Sequence, residues 1–387
     1  MINKTIYDYH GKVVQYRRHF HQFPEVSWQE LKTSAYIKSE LEKNNIPYKS
    51  IAKTGIEVMI KGDVPGKTVA LRADIDALNV NEATSHGYKS RNEGVMHACG
   101  HDGHTAMLLC AALILNEYKS EIKGSVKLLF QPAEEMVEGA KRMIQEGALE
   151  NVDAIFGIHL WTEIETGKIS LESGPRMASG DYLLVDIKGK GGHGSLPHQT
   201  VDASLIAASF ISNIQSLVSR EIDPLESVVI SFGKIESGSR FNIISGHAHL
   251  EGTARCFSPQ IRKVLADLIC QHGDHICQAY NASFELEFRE GTPPTINDST
   301  IAELGERVVE SCFGKNALVS YNKTTGSEDM AYYLEKIPGA IAFVGARNDG
   351  IECNYPHHHP KFNIDEDSLL IGLELYIKFA LSYLSKS

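Results

Sequence analysis

Apolar and polar positions in the first half of the chain follow the pattern typical of strands separated by helices. Short apolar runs bounded by polar or turn residues predict strands at 55–60, 68–73, 125–130 and 154–158. Thr33 to Lys43 predicts a first helix. The stretch from Thr105 to Leu115, apolar and rich in Ala, Leu and Met, predicts a buried one. This alternation indicates a largely parallel sheet covered by helices.

The pattern changes near residues 173–180, where Gly and Pro predict a hinge. From Asp181 to Arg289 the order is strand, helix, strand, strand, helix, strand, which predicts a four-stranded sheet with two helices on one face. Helical spacing predicts that two apolar stripes are buried, namely Leu205, Ala208, Ile211, Ile214 and Val218, and then Ile261, Val264, Leu268, His272 and Ile276. We therefore expect an α/β fold: a mostly parallel-sheet domain (1–177 and 291–387) with an inserted α+β domain (178–290).

Composition narrows the classes of partner. A length of 387 residues favours two domains. Acidic residues outnumber basic ones by 49 to 38, and the net charge of -11 argues against a nucleic-acid partner. No N-terminal signal-like core and no apolar run of about 18 residues is evident, so we expect no membrane partner. Seven cysteines without a framework spacing predict a reducing, cytoplasmic location.

Residues 96–104, with the sequence MHACGHDGH, contain the densest group of chemically active side chains. One thiol, three imidazoles and a carboxylate in nine residues predict a metal site. No second Cys pair lies at short spacing, so further ligands have to come from distant parts of the chain. The alternative is a helix start with Asp102 near the N-cap and exposed histidines.

Further ligand-type side chains follow the predicted strands. The strand 68–73 leads into Asp74 and Asp76, the strand 125–130 is followed by Glu134 and Glu135, and the strand 154–158 by His159. In open α/β sheets the carboxyl ends of the strands form the ligand crevice, so these side chains are expected at one edge. Paired carboxylates suit metal-assisted hydrolysis. Taken alone, the Glu134–Glu135 pair is better explained by solvated loop residues, but beside Cys99, His101 and His159 it favours the metal site.

Several ordered segments show that the chain resembles the M20 metallopeptidase family, in particular its amidohydrolase branch of N-acyl-amino-acid, hippurate and auxin-conjugate hydrolases. The resemblance covers nearly the whole length. The matching segments are RRHFH at 17–21, LRADIDAL at 71–78, MHACGHDGHTAML at 96–108, FQPAEE at 130–135, GIHLW at 157–161, GKGGHGSLPH at 189–198, GTAR at 252–255, GSEDM at 326–330 and HHP at 358–360.

The resemblance implies a role for particular residues. It makes the first domain catalytic and the inserted one a lid or dimerisation domain. Five residues would hold two divalent metal ions, namely Cys99, His101, Glu135, His159 and His358. His358 is the middle one of three consecutive histidines at 357–359, and it is selected because it lies two residues before Pro360. Glu134 would be the general acid/base and Asp76 an orienting partner. The inserted domain would contribute His193 for catalysis and Asn242 and Arg255 for substrate binding. Zn²⁺ suits a thiolate-containing site best, and Mn, Co or Ni are compatible with it.

The implied function is hydrolysis of the amide bond in small N-acyl amino acids or peptides, by a homodimer or higher homo-oligomer in which His193 acts across the interface. The alternatives are a non-catalytic, metal-stabilised binding protein, and a dipeptidase or aminopeptidase of the same family. Gly189, Gly191 and Gly194 also satisfy the dinucleotide-binding pattern, but no acidic residue lies at a second strand end about 20 residues later. A serine hydrolase is disfavoured because no G-x-S-x-G motif is found.

Overall fold

The computed structural model describes residues 2–385, and the chain divides into two compact units. The first unit comprises the chain up to Gly174, Ile296–Asn322 and the chain from Asp329 onward. The second comprises Pro175–Thr295 and Lys323–Glu328. The second unit thus begins and ends within five residues of the predicted inserted domain, but it also includes 323–328, which we had assigned to the first domain.

Ten α-helices and fifteen strands are formed by the residues that the structure describes. The helices are α1 (Ile2–Asp8), α2 (His10–Gln22), α3 (Leu31–Lys43), α4 (His101–Glu117), α5 (Gly139–Gln145), α6 (Ala203–Ser216), α7 (Pro259–Ala279), α8 (Ser299–Phe313), α9 (Ala331–Leu334) and α10 (Asp367–Ser385). The strands are β1 (Tyr48–Ile51), β2 (Gly55–Lys61), β3 (Val64–Asp74), β4 (Lys123–Gln131), β5 (Ala154–Glu165), β6 (Ile169–Ser170), β7 (Gly174–Met177), β8 (Gly180–Lys188), β9 (Gly192–His193), β10 (Val228–Ser237), β11 (Ile243–Ile244), β12 (His247–Cys256), β13 (Ser283–Thr292), β14 (Thr295–Asn297) and β15 (Gly339–Arg347).

The first unit is built on a seven-stranded sheet in the order β1-β2-β4-β3-β5-β15-β6. Its four central strands are parallel, and the flanking strands pair antiparallel, so the predicted α/β class with a mostly parallel central sheet is confirmed. Asp74 at the end of β3 is level with Gln131 at the end of β4. Arg72 is level with Gly157, and the same offset places Asp74 beside His159.

The predicted end of the third parallel strand is wrong. The strand β5 does not stop before His159 but continues to Glu165, because the parallel pairing with β15 extends past Trp161. His159 therefore lies within the strand. Its side chain still reaches the crevice because β3 and β4 end at its level while β5 continues.

The N-terminal helices α1 and α2 were not predicted either, since their polar and aromatic residues form no clear apolar stripe.

The helix α4 begins four residues earlier than predicted, at His101. Every residue from His101 to Leu115 is buried, so the helix is surrounded by the core. Gly100 precedes it in a left-handed conformation, with φ of 89°, which glycine adopts without strain. At Gly103 an added Cβ would lie only 2.5 Å from the Leu160 side chain. The first turn of α4 is thereby held directly against β5.

The terminal helix α10 is the one described helix that is long and apolar enough to cross a membrane, with mean hydropathy 1.3. The sequence analysis had expected no such segment. Within the first unit, α10 packs against α4, α8 and β3, and 61% of its most apolar window is buried. Its apolar residues therefore form part of the hydrophobic core.

The second unit contains an antiparallel sheet in the order β10-β12-β8-β13, with α6 and α7 packed on it. The predicted elements are present. Ile214 is buried as predicted, but the other buried positions on the two helices differ from the predicted ones, mostly by one residue. The residues buried on the two helices are Ala203, Ile206, Ala207, Phe210 and Ile214 on α6, and Leu265, Ile269, Gly273 and Cys277 on α7. Both helices are apolar on two adjacent stripes, and only packing on the sheet selects one of them.

Candidate metal centre

The first group of metal-type side chains comprises Cys99, His101 and His159. They come from the residue before the αL turn, from the start of α4 and from β5, and one donor atom of each lies within 4.8 Å of the others. The Cys99 Sγ lies 3.7 Å from the His159 Nε2. All three residues are buried, so the sheet crevice and the helix start meet at one point, as predicted.

A second group shares Cys99 and adds Glu135 and His358. The His358 Nε2 lies 3.5 Å from the Glu135 Oε1, and the His358 side chain is 55% exposed. The backbone of His358 has a φ of 65°, which is strained for a non-glycine residue. Its N–H donates to the Ala98 carbonyl at 2.8 Å, which anchors this loop beside Cys99. His358 therefore lies at the rim of a cluster whose floor is buried.

Glu134 lies beside both groups. Its Oε2 is 3.9 Å from the His101 Nε2, and its Oε1 accepts a hydrogen bond from the Asp329 N–H at 3.4 Å. The residue is 7% exposed. The preceding Ala133 has a φ of 52°, a left-handed conformation that turns the chain sharply after β4. This turn brings both members of the acidic pair to the cluster.

Hydrogen bonds orient the imidazoles. The His101 Nδ1 donates to the Asp76 carbonyl at 3.0 Å, and the His159 Nδ1 donates to the Leu160 carbonyl at 2.9 Å. In each ring a backbone carbonyl therefore occupies Nδ1 and leaves Nε2 directed at the cluster, which is the arrangement that hydrogen-bond partners impose on metal-binding histidines. The Asp76 carboxylate accepts from the Glu135 N–H at 3.0 Å and from the Ser27 hydroxyl at 2.7 Å.

A network of buried polar side chains lies next to the donor cluster, at the ends of β3 and β4 and at the start of α4. Asp74 accepts hydrogen bonds from the His104 Nδ1 at 2.6 Å and from the Arg72 guanidinium at 2.9 Å. Arg72 also donates to Asp329 at 2.8 Å, and Asp329 accepts from the Gln131 amide at 2.8 Å. Burial opposes the charge on Asp74, but His101, the hydrogen bond from His104 and the Arg72 guanidinium outweigh it and hold the pKa of Asp74 well below its ordinary value. The sequence analysis missed Arg72, Gln131 and Asp329, although a charged pair inside an apolar run at 71–74 was a usable signal.

The cluster shifts the pKa values of its members. Burial raises the pKa of the Cys99 thiol and lowers that of His159. Burial also opposes the charge on His101, but the Asp74 carboxylate outweighs it and raises the pKa of that ring well above its ordinary value. The adjacent Cys99 thiol and Glu135 carboxylate, the latter 3.5 Å from the His358 Nε2, raise the pKa of His358 to about 10.

The donor set fits divalent cations. The His101 Nε2 and the Glu135 Oε1 are buried and have no hydrogen-bond partner among the described residues, yet they lie 4.0 Å apart. Burying such groups unsatisfied is costly, and a cation between them would satisfy both. A thiolate, imidazoles and carboxylates together suit borderline metals of the zinc type.

The residues predicted in the second unit are arranged differently. His193 lies in β9, which pairs with β11, and the Gly194 N–H donates to the Asn242 carbonyl at 2.9 Å, so His193 and Asn242 are neighbours. Both are exposed. The Arg255 Nη1 donates to the Thr325 carbonyl at 2.9 Å. The strand β11, which pairs with β9, leads directly into His247 at the start of β12. Arg255 lies eight residues farther along β12, about 26 Å in an extended strand, so the structure does not bring it to the His193 loop.

Comparison with known proteins agrees with this architecture. Residues 70–382 match the profile of Peptidase family M20/M25/M40. The chain is 40% identical over 360 residues to the N-acetyl-L-cysteine deacetylase of Bacillus subtilis, covering 93% of this chain and 85% of the relative. It is 38% identical over 379 residues to the thermostable carboxypeptidase 1 of Saccharolobus solfataricus, covering 97% and 96%. A crystal structure of the Bacillus subtilis YXEP protein, described as a dinuclear metal binding peptidase from the M20 family, superposes with a TM-score of 0.87 at 32% identity, covering 98% of this chain and 99% of that one.

Fold and donor cluster together define a metal-dependent hydrolase of amide bonds. The chain belongs to Peptidase family M20/M25/M40. The family resemblance drawn from the sequence is thereby confirmed, and a non-catalytic binding protein is not favoured.

Proposed function

We propose that this protein hydrolyses the amide bond of N-acyl amino acids or small peptides, with Glu134 as general acid/base. The observation that carries the proposal is the position of the Glu134 carboxylate, 3.9 Å from the His101 Nε2 and beside both groups of donors. A metal-stabilised binding protein would need the donors but would have no use for this second carboxylate.

Two divalent cations are proposed for the five donors Cys99, His101, Glu135, His159 and His358. Zn²⁺ is the favoured ion, and Mn, Co and Ni are compatible with the donor set. Cations bound there would lower the pKa of a water molecule and polarise the scissile carbonyl. Asp76 would keep His101 and Glu135 in place through the hydrogen bonds described above.

Glu134 carries the proton in this mechanism. Its carboxylate accepts a proton from the attacking water and then returns it to the leaving amine, which would otherwise depart as an unstable anion. The Asp329 N–H holds one carboxylate oxygen, so the other, Oε2, is the one that faces His101 and the reacting groups.

His193, Asn242 and Arg255 are proposed to contact the substrate. His193 and Asn242 offer exposed donors for the developing negative charge on the carbonyl oxygen, and Arg255 offers a cation for the substrate carboxylate. Arg255 lies about 26 Å along β12 from His247, the end of the strand that follows β11 and the His193 loop, and this supports contacts to one small substrate from His193 and Arg255 of different copies. We therefore propose a homodimer or higher oligomer in which His193 acts on the substrate of a second copy.

Light scattering at micromolar concentration, combined with an activity assay, tests the assembly. A fully active monomer would rule out action across an interface.

The relatives that are named for substrates support the substrate class, since one is a deacetylase of N-acetyl-L-cysteine and another a carboxypeptidase. A cytoplasmic location is proposed from the seven free thiols in the described chain, five of them buried.

The decisive test of the mechanism is Glu134→Gln. We expect kcat for an N-acyl amino acid panel to fall about 10²- to 10⁴-fold, the usual contribution of a positioned proton-transfer group, with unchanged metal content by elemental analysis. The matched control is Glu138→Gln, which alters an acid four residues later that accepts from the Trp28 indole. Undiminished turnover in Glu134→Gln would refute the assigned role, and an equal loss in the control would show that the loop as a whole is responsible.

A further inference from the structure

The helix α2 contains two charged side chains that are fully buried although neither belongs to the donor cluster. Arg17 and His21 are 0% and 1% exposed. They are four residues apart, so they project from the same face of the helix. Burying an arginine and a histidine is costly unless both are paired, and this cost indicates that their partners are specific.

Both side chains hold the same carboxylate oxygen. The Arg17 Nε donates to the Asp102 Oδ2 at 2.8 Å, and the His21 Nδ1 lies 2.8 Å from that oxygen. Asp102 is 0% exposed and directly follows the proposed ligand His101 in the first turn of α4. The helix α2 is thereby fixed to the segment that presents Cys99 and His101.

Arg17 also reaches the segment that follows His358. Its Nη2 donates to the Asn363 Oδ1 at 2.8 Å, and its Nη1 donates to Glu366 at 3.3 Å. The residues between His358 and the start of α10 contain no helix or strand, so their position depends on such contacts. His358 has a positive φ, and a strained residue of this kind persists only where its surroundings hold it.

His21 connects the same helix to a third segment. Its Nε2 lies 3.3 Å from Glu82, whose side chain is 1% exposed, in the loop that follows Asp76. Both ring nitrogens of His21 thus face carboxylates, so the ring carries two protons, and its pKa is raised because these carboxylates outweigh burial and the Arg17 charge.

We propose that Arg17 and His21 are positioning residues that clamp together two ligand-bearing segments, that of Cys99 and His101 and that of His358, and the loop that follows Asp76. We further propose that Arg17 in particular sets the affinity for the cation held by Cys99, Glu135 and His358. The cation held by Cys99, His101 and His159 depends less on the clamp, because those residues lie on or beside a buried helix and a central strand. This inference rests on the proposed metal assignment.

The test is cation binding to the metal-free full-length chain, measured by calorimetry and chelator competition with Zn²⁺. In Arg17→Met we expect the affinity for one of the two ions to fall about 10- to 100-fold, the usual effect of removing an outer partner of a ligand, while the other ion binds as in the unaltered protein. Turnover in Arg17→Met should recover when Zn²⁺ is raised to saturation, which would not happen if Arg17 took part in the chemistry.

The matched control is Arg18→Met. Arg18 is the neighbouring cation on α2 and also pairs with Glu366, but it is half exposed and does not reach Asp102. We expect wild-type affinity for both ions. If Arg17→Met does not fold, Asn363→Ala tests the same link, because it removes the Arg17–Asn363 hydrogen bond and leaves Arg17 paired with Asp102. Asn363→Ala also removes the hydrogen bond from the Asn363 amide to the Cys353 Sγ, so Cys353→Ala, which removes that bond and leaves the Arg17–Asn363 bond in place, is measured beside it.

The outcomes separate the two proposals. If the unaltered chain binds fewer than two Zn²⁺ ions, the metal assignment fails, and the clamp fails with it. Suppose instead that the unaltered chain binds two ions. If Arg17→Met or Asn363→Ala then binds the two ions with unchanged affinity, or loses affinity for the two ions equally, only the clamp is overturned. Equal losses in Arg17→Met and Arg18→Met would also overturn it.

Discussion

The proposed metal centre of the first unit and the proposed substrate loop of the second unit differ in how firmly they are held. Cys99, His101 and His159 are buried, and both imidazoles are oriented by hydrogen bonds to backbone carbonyls. His193 and Asn242 are exposed on short strands of two residues each and the turn beside them. The Ser195 N–H donates to the His193 Nδ1 at 3.1 Å, so this ring is also oriented. The difference between the two regions is burial, because the donors lie in a core and the loop residues lie in solvent.

This difference follows from the chemistry of each region. Donor atoms for a cation must lie within a few tenths of an ångström of their final positions, so they are held by a core and by outer hydrogen bonds. Groups that are proposed to contact only the substrate act when substrate is present, so they can remain solvated until then. Substitutions in the first region should therefore change cation content, and those in the second should change kinetics alone.

The largest effect is expected for Cys99→Ala. This residue belongs to both donor groups, so its loss should release cation and lower turnover by at least about 10³-fold, since several kcal/mol of charge stabilisation would be lost. Elemental analysis and kcat measure the two effects. The control Cys110→Ala removes a buried thiol from the helix α4, which follows Cys99, and should retain its cations. Full cation content in Cys99→Ala would exclude the thiol from the ligand set.

An intermediate effect is expected for His193→Ala. We expect kcat to fall about 10²-fold, the loss typical of one donor to a developing oxyanion, with cation content unchanged. His198→Ala, which removes another exposed histidine from the same segment, should have wild-type kinetics. If His193→Ala loses cation, the two regions are not separate in the way proposed, and unchanged kcat would remove His193 from the mechanism.

The smallest effect is expected for Arg255→Ala. Loss of a charged contact to the substrate carboxylate should raise KM about 10-fold, or about 1.4 kcal/mol, with little change in kcat. A substrate whose carboxylate is replaced by a carboxamide should react equally with both proteins. Arg289→Ala serves as control, because this exposed arginine pairs only with Glu287 among the contacts described for it. A KM increase that persists with the carboxamide would contradict a carboxylate-binding role.

Much of this protein was already determined by its sequence. The α/β class, the elements of the inserted unit and the grouping of Cys99, His101, Glu135, His159 and His358 follow from periodicity, from ligand-type residues after strands and from the family resemblance. These features rest on local patterns, or on the general rule that parallel strands end at one edge of a sheet.

Only the tertiary structure decided the remaining features. The extension of β5 past His159 depends on pairing with β15, a strand that begins 180 residues after His159. The buried faces of α6 and α7 depend on which of two apolar stripes meets the sheet. The contacts of Arg17 with Asp102 and Asn363 span 85 and 346 residues of sequence. Contacts between distant residues leave no periodic signal, because each is specified by packing and by the need to pair buried charges.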